Sequence, residues 1–224
     1  MHTDKTLVVI PAYNAESTIG ELVEQIRDRA VSVDVLVVDD GSTDSTAQSA
    51  TVAGVSVVRH PCNLGKGRAI RTGLRYAAER DYSGFVTIDS DLQHDPGSIA
   101  DFLSTASGGQ FDLILGVRRR TIDMPRHRAL TNFATSALLS LLAGVCLRDT
   151  QTGYRWHKTT SMLRLRATTD RYDYESEVLL KAGRAGMKLG EVTVPTIYRG
   201  SRSFINPVLD AWRFLRLIVR SWFW

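Results

Sequence analysis

Asp89 and Asp91 stand one residue apart after the apolar run Val86-Thr87-Ile88, and Leu92-Gln93-His94 follows them. Two carboxylates leaving a buried strand together disfavour each other's charge unless a cation lies between or beside them. A hard divalent ion meets that need. Mg²⁺ takes one or two protein carboxylates and fills its other positions with water and substrate phosphates. Such a site suits a reaction in which a diphosphate leaves, because the charge that develops on it must be neutralised. An isolated D-x-D more often marks turn residues, here with Asp95 as a helix cap. The strand before the pair and Gln93-His94 after it weigh towards chemistry.

A second acidic step, Asp39-Asp40, closes the run Val35-Leu36-Val37-Val38 and precedes Gly41-Ser42-Thr43-Asp44. At the end of the second strand of a doubly wound sheet, carboxylates are placed to accept hydrogen bonds from a ribose or base. A simple β–α turn would be capped by Ser42 or Asp44, so at least one of Asp39 and Asp40 is expected to be functional. Lys66 lies in Gly65-Lys66-Gly67, but the phosphate-loop pattern fails, with His60 and Gly67 where it needs glycine and Ser/Thr. The two glycines are expected to bring a loop close to a ligand and to start a helix.

The elements that must carry these residues read as an alternation. Strands are expected at Thr6–Pro11, Val33–Asp39, Val55–Arg59, Gly84–Asp89 and Asp112–Val117, with helices at Ala15–Ala30, Ser42–Ala53, Gly65–Arg80 and Pro96–Ala106. Strands that are apolar throughout and alternate with helices imply an α/β fold with a mostly parallel sheet covered on both faces. Ligands bind at the carboxyl ends of such strands, where Pro11-Ala12-Tyr13-Asn14, Asp39-Asp40 and Asp89-Ser90-Asp91 lie. Further along, a long helix is expected over Met124–Leu147, another at Tyr174–Ala185, a strand at Glu191–Tyr198 and a last helix over Pro207–Trp224.

The chain has 224 residues and ordinary hydrophobic and charged fractions, enough for one domain with its own core. Cys62 and Cys146 have no metal-like spacing and read as thiols of a reducing compartment. The opening apolar run is cut off by Pro11, so neither a signal peptide nor a spanning helix is expected. From Tyr198 onward five arginines face one acid, which accounts for the whole net charge of +4. The basic character therefore belongs to the tail and not to a nucleic-acid surface.

In order, Pro11-Ala12-Tyr13-Asn14, Asp39-Asp40-Gly41-Ser42, Asn63-Leu64-Gly65-Lys66-Gly67, Asp89-Ser90-Asp91-Leu92-Gln93-His94 and Asp149-Thr150-Gln151-Thr152-Gly153-Tyr154-Arg155 resemble the family 2 glycosyltransferases of GT-A fold. Within that family the chain is most similar to dolichyl- and polyprenyl-phosphate mannose or glucose synthases. The resemblance implies a single Rossmann-like domain over residues 1–204, with a C-terminal amphipathic helix over 205–224. It implies donor-binding roles for Pro11, Tyr13, Glu16, Val38, Asp40, Lys66, Asp89, Ser90, Asp91 and Gln93, with Asp89, Asp91 and Gln93 on Mg²⁺ or Mn²⁺. The family's first motif often has Glu directly after the Asn; here Ala15 stands there and Glu16 comes one place later. Asp91, Asp149 and Arg118 are the expected catalytic residues, and Arg118, Arg155, Arg199 and Arg202 the expected holders of an acceptor phosphate. Glu175 and Glu177 fall where relatives carry functional acids; two residues apart on a helix, they point different ways, so one at most faces the site.

The expected function is then inverting transfer of a hexose from GDP-mannose or UDP-glucose to a polyprenyl or dolichyl phosphate, at the cytosolic face of a membrane. With a hydroxyl acceptor, Asp149 would serve as base; with an ionised phosphate it would orient the donor or an arginine. Arg213, Arg216 and Arg220 recur at helical spacing beside Trp212, Phe214, Leu215, Leu217, Ile218, Val219, Trp222, Phe223 and Trp224, the pattern of a helix lying on an anionic membrane surface. Two other readings stand beside this one. A family member acting on a sugar or glycolipid hydroxyl keeps the chemistry, and a non-catalytic membrane-binding module leaves the paired aspartates unexplained. A dinucleotide-dependent oxidoreductase needs a glycine-rich turn where Pro11-Ala12-Tyr13-Asn14 stands.

Overall fold

The computed structural model describes residues 5–29, 33–118, 126–195, 197 and 207–224, and their side chains except at 126–133, 207, 208 and 210. Seven strands form one sheet in the order β3-β2-β1-β4-β6-β5-β7. They are β1 (Thr6–Ala12), β2 (Asp34–Asp39), β3 (Ser56–Arg59), β4 (Gly84–Thr87), β5 (Leu113–Arg118), β6 (Arg155–Lys158) and β7 (Leu189–Val194). The helices are α1 (Ile19–Arg29), α2 (Thr46–Val52), α3 (Lys66–Glu79), α4 (Ile99–Ala106), α5 (Arg126–Ala143), α6 (Thr159–Leu165), α7 (Asp173–Arg184) and α8 (Pro207–Ser221). The α/β architecture expected from the alternating pattern is the one observed.

All pairings are parallel except those of β6, which runs antiparallel to both β4 and β5. Neither β6 nor α6 is among the elements expected from sequence. Arg155-Trp156-His157-Lys158 carries three basic side chains and no apolar run, yet Arg155 and His157 are both buried. His157 stacks on Phe85 with ring centroids 4.6 Å apart. Burial, and secondarily Arg155, push its imidazole down to about 3, so it is a neutral core group.

Alternate residues of β1 feed the two faces of the sheet. Val8 and Ile10 join Leu22, Ile26, Phe102, Ile114 and Trp156 on one side. Leu7 and Val9 join Leu74, Leu139, Val178, Leu179 and Leu217 on the other. At ~1.5–3 kcal/mol for each fully buried large apolar side chain, these layers are the main drive to fold. The chain winds from β1 outward to β3 and returns to the other side of β1 with β4. The carboxyl ends of β1 and β4 therefore flank the switch point at which doubly wound sheets open a crevice. Asp95 caps the 3-10 turn that leads into α4, accepting from Gly97 N at 3.1 Å, with Pro96 in the first position.

α5, α7 and α8 form a layer over the second core. Arg184 near the end of α7 donates to Leu142 O of α5 at 3.2 Å and to Ser221 O of α8. Among the described residues no helix is long and apolar enough to cross a membrane. Gly183 is where α7 touches α5, since a Cβ there would lie 2.8 Å from that of Ala143. Gly183→Val should wedge the two helices apart and cost about 2 kcal/mol, measured as a lower urea midpoint with an unchanged slope. An unaltered midpoint would mean that these helices do not meet at this position.

Candidate active site

The carboxyl edge of β1 and β2 is built from two loops laced together. Asn14, in the left-handed region at φ 50°, accepts from Thr43 N at 2.9 Å through its side-chain oxygen. Its own amide donates to Ser42 Oγ at 2.9 Å, and Ala15 N donates to Thr46 Oγ1 at 2.8 Å. Glu16 completes the lacing: its carboxylate accepts from Ser45 N at 2.8 Å, and its amide donates to Asp44 at 3.2 Å. Glu16 therefore orders the loop after β2. Pro11 and Val38 are register partners on β1 and β2. Both are buried, Val38 completely, so Val38 presents no surface to a base. Tyr13 is half-buried at the rim.

Asp39 and Asp40 are both buried and both engaged. Asp39 accepts from Ser42 N at 2.9 Å and lies 3.1 Å from Arg59 Nε. Asp40 accepts from Leu64 N at 2.9 Å and Gly65 N at 2.7 Å, and its other contact is His60 Nδ1 at 2.7 Å. Both oxygens of Asp40 are thus spent on the loop that starts α3. As built, this carboxylate positions Lys66 and does not present itself to a ribose or base. Gly65, at φ +102°, and Gly67 are hemmed in by the 169–171 segment and Tyr174, which leaves no room for side chains there.

Lys66 reaches from the first turn of α3 into the acidic site. Its ammonium lies 2.6 Å from Asp89 Oδ1 and 3.0 Å from Glu175 Oε1. Burial alone would raise the Asp89 carboxyl, but Lys66 and then His94 more than offset that and hold it well below the usual carboxylate range. His94 Nε2 stands 3.8 Å from Asp89 Oδ2. Asp91 is in the opposite situation: burial, followed by the neighbouring Asp89 charge, raises its carboxyl. It accepts from Gln93 N at 3.0 Å, around Leu92 at φ 59°. The Gln93 carbonyl accepts from Ile197 N at 3.0 Å, and Ser90 is half-buried between the aspartates. Behind this group, Thr87 Oγ1 donates to Gly153 O at 2.8 Å. A Cβ on Gly153 would stand 2.6 Å from Lys66 Nζ and 2.7 Å from Asp89 Oδ1. Sequence reasoning missed the need for glycine at 153; only its place in the Asp149–Arg155 motif hinted at it.

Arg118, at the end of β5, grips Asp149 with two parallel bonds, Nε to Oδ2 at 2.7 Å and Nη2 to Oδ1 at 3.0 Å. Burial pushes the Asp149 carboxyl up, but Arg118 and the Gln151 amide bring it below the ordinary value. Arg155 is 1% exposed and points inward. It donates to the carbonyls of Thr152 at 2.9 Å, Thr150 at 2.8 Å and Glu175 at 3.1 Å. Burial holds its guanidinium below the ordinary value, and Glu175, Asp149 and Asp89 offset that only in part, so it is a buried counter-charge and clamp and not a hand held out to an acceptor phosphate. Glu177 points away from Glu175, to the 168–169 amides and to Lys181 at 2.7 Å. Arg199 and Arg202 lie outside the described residues.

The chain matches the model of the family described as "Glycosyl transferase family 2" over residues 7–171. It is a family 2 glycosyltransferase. This transferase is 28% identical over 87% of its length to the undecaprenyl-phosphate mannosyltransferase of Micrococcus luteus, 84% of which is covered. It is likewise 28% identical over 85% of its length to the UDP-N-acetylglucosamine–dolichyl-phosphate N-acetylglucosaminyltransferase of Methanococcus voltae, 85% of which is covered. Its fold superimposes with TM-score 0.70 on glucosyl-3-phosphoglycerate synthase from Mycobacterium tuberculosis, solved with Mn²⁺, UDP and glucosyl-3-phosphoglycerate, at 22% identity over 97% of this chain and 78% of that one.

Two outcomes follow from the transferase's buried charges. Arg155→Met removes the donor from three carbonyls and the counter-charge from the acidic group, and should cost about 3–5 kcal/mol in denaturant unfolding. Asp91→Asn should stabilise the ligand-free protein at neutral pH, because burial and the Asp89 charge raise this carboxyl and make its charged form costly in the folded state. Towards pH 4 Asp91 takes up its proton and the gain should vanish; thermal melting across that range reads the sign directly.

Proposed function

We propose that the transferase moves a hexose from a nucleotide-diphosphate sugar, GDP-mannose or UDP-glucose, to a polyprenyl or dolichyl phosphate, with inversion, at the cytosolic face of a membrane. The observation that carries this reading is the Arg118–Asp149 pair beside the acidic group. Both Asp149 oxygens are engaged by Arg118, and its carboxyl lies below the ordinary range. A group so held is a poor proton acceptor. A hydroxyl acceptor needs a base in this position, whereas an ionised phosphate needs only orientation and neutralisation. Among the described residues Arg118 is the arginine best placed to supply both.

On the donor side, Asp89 and Asp91 offer hard oxygen ligands, and Asp91 forms no ion pair among the described residues. Among the described residues no cluster of three or more His, Cys, Asp or Glu side chains is arranged to hold a metal unaided. That donor set fits Mg²⁺ or Mn²⁺, whose remaining positions go to water and diphosphate oxygens. Asp89, Asp91 and Gln93 would hold the ion, which when bound supplies neutralisation of the departing diphosphate. Lys66 adds a second positive charge at the same place. Tyr13 and Pro11 frame the nucleotide end of the crevice, and Asp40 and Glu16 keep its walls in place.

The segment 205–224 is assigned to the membrane surface. On α8, Phe214, Leu217 and Ile218 face the core. Trp212, Leu215, Val219, Trp222 and Phe223 form a separate exposed stripe. Arg213, Arg216 and Arg220 run along its border, with Arg216 over the Trp212 ring at 5.5 Å. An apolar stripe edged by arginines suits the headgroup region of an anionic bilayer. The relatives named for lipid-phosphate acceptors support the same assignment. A binding module without chemistry has no use for the acidic group.

The test is transfer of labelled sugar from GDP-mannose and UDP-glucose to short-chain polyprenyl phosphates, with and without Mn²⁺ or Mg²⁺. A phosphodiester-linked lipid product is expected, with turnover at least about a hundredfold lower in Asp91→Ala. Wild-type-like turnover in Asp91→Ala would remove the metal assignment. Label on a sugar hydroxyl, and on no lipid phosphate, would favour the alternative acceptor.

A further inference from the structure

At the opposite end of β5 from Arg118, beside Asp112, lies a cavity of about 720 Å³. The six residues of β5 put it roughly 20 Å from the acidic group. Its walls include Asp112, Arg164 near the end of α6, Lys181 and Arg184 of α7, Leu165 and Trp224. No step of the transfer uses it.

We propose that this cavity binds the headgroup phosphate of an anionic phospholipid, separate from the acceptor; the inference rests on the membrane-facing reading of α8. Positive charge prevails in it. Lys181 is shared with Glu177 at 2.7 Å and carried on the Trp224 ring at 4.8 Å. Asp112 is engaged by Ser161 Oγ at 2.6 Å and by Lys188 N at 2.9 Å. Arg184 binds the last carbonyls of α5 and α8, so the cavity is formed where those two helices end. After these pairings Arg164 remains, exposed and with no partner among the described residues. A guanidinium of this kind is suited to fork onto a phosphate.

The apolar wall decides which phosphate. Leu165 and Trp224 lie beside the cations. Trp222 and Phe223, which lead into Trp224, are 74% and 86% exposed, and Leu141, next to the Leu142 carbonyl that Arg184 holds, is 79% exposed. An amphiphile uses both parts, with its phosphate among the cations and its glycerol and first methylenes on the aromatic rim. A free phosphate or a sugar phosphate gains nothing from that rim.

Calorimetric titration of the full chain with monomeric dihexanoyl-phosphatidylglycerol should show saturable one-to-one binding. Dihexanoyl-phosphatidylcholine and inorganic phosphate should bind at least about tenfold more weakly. Arg164→Gln should weaken the phosphatidylglycerol complex by about tenfold or more, while Arg220→Gln on the outer stripe leaves it unchanged. Donor hydrolysis without lipid should be unaffected in Arg164→Gln. Unsaturable binding, equal affinity for inorganic phosphate, or indifference to Arg164→Gln would each overturn the site. Flotation on vesicles with and without phosphatidylglycerol separates this from the broader reading. Wild type that floats on neither removes the membrane role of α8 and the cavity together. Equal flotation of wild type and Arg164→Gln on the anionic vesicles removes the cavity alone.

Discussion

The structure depends on a balance of buried charge at the carboxyl edge of the sheet. Asp89, Asp149 and Glu175 converge there, and Lys66, Arg118 and Arg155 answer them from below and from the sides. Carboxylates held this far from bulk water are tolerated only when partners offset their desolvation. Asp91 forms no ion pair among the described residues, and burial and then the Asp89 charge raise its carboxyl, while Asp89 and Asp149 are lowered. The imbalance is the chemical content of the site. A protein-only solution would add another lysine or arginine; on the proposed reading the balancing charge would come from a bound divalent cation.

Much of the surrounding structure serves to hold those cations. Lys66 is aimed by the start of α3, and that start is fixed by Asp40, which takes the amides of Leu64 and Gly65. Gly153 leaves the space that the Lys66–Asp89 pair fills, and Thr87 fixes the Gly153 carbonyl. Arg155 reaches the site from β6, a central strand on which it is the register partner of Thr87 and His157 that of Phe85. Positioning therefore passes through Asp40, Thr87 and Gly153, at distances set by backbone amides and carbonyls.

This explains what was legible in the sequence. The strands and the alternation that builds the sheet are local patterns, and they read correctly. β6 did not, because Arg155 and His157 break the apolar signal that marks a buried strand, and only their tertiary partners make them core residues. Asp40 and Glu16 were recognised as significant, but their actual contacts lie 25 and 29 residues away along the chain. Val38 was expected at the nucleotide; the completeness of its burial depends on helices packed over it, which no local pattern reports.

The helix layer links the two ends of the molecule. Arg213 of α8 acts electrostatically on Asp173 at the start of α7, and Ser221 meets Arg184 at its end, so the two helices run in the same direction. The first turn of α7 carries Glu175 into the acidic site. The Trp212 end of the exposed stripe therefore lies towards the active-site end, and Trp222 and Phe223 lie at the far end. On the proposed reading, this stripe sets the protein down along its length, with the mouth of the crevice at headgroup level. An acceptor phosphate is confined to that level by its own lipid tail. It would then reach Arg118 by lateral movement, and the alignment that a soluble acceptor obtains from binding contacts would come from the orientation of the whole protein on the bilayer.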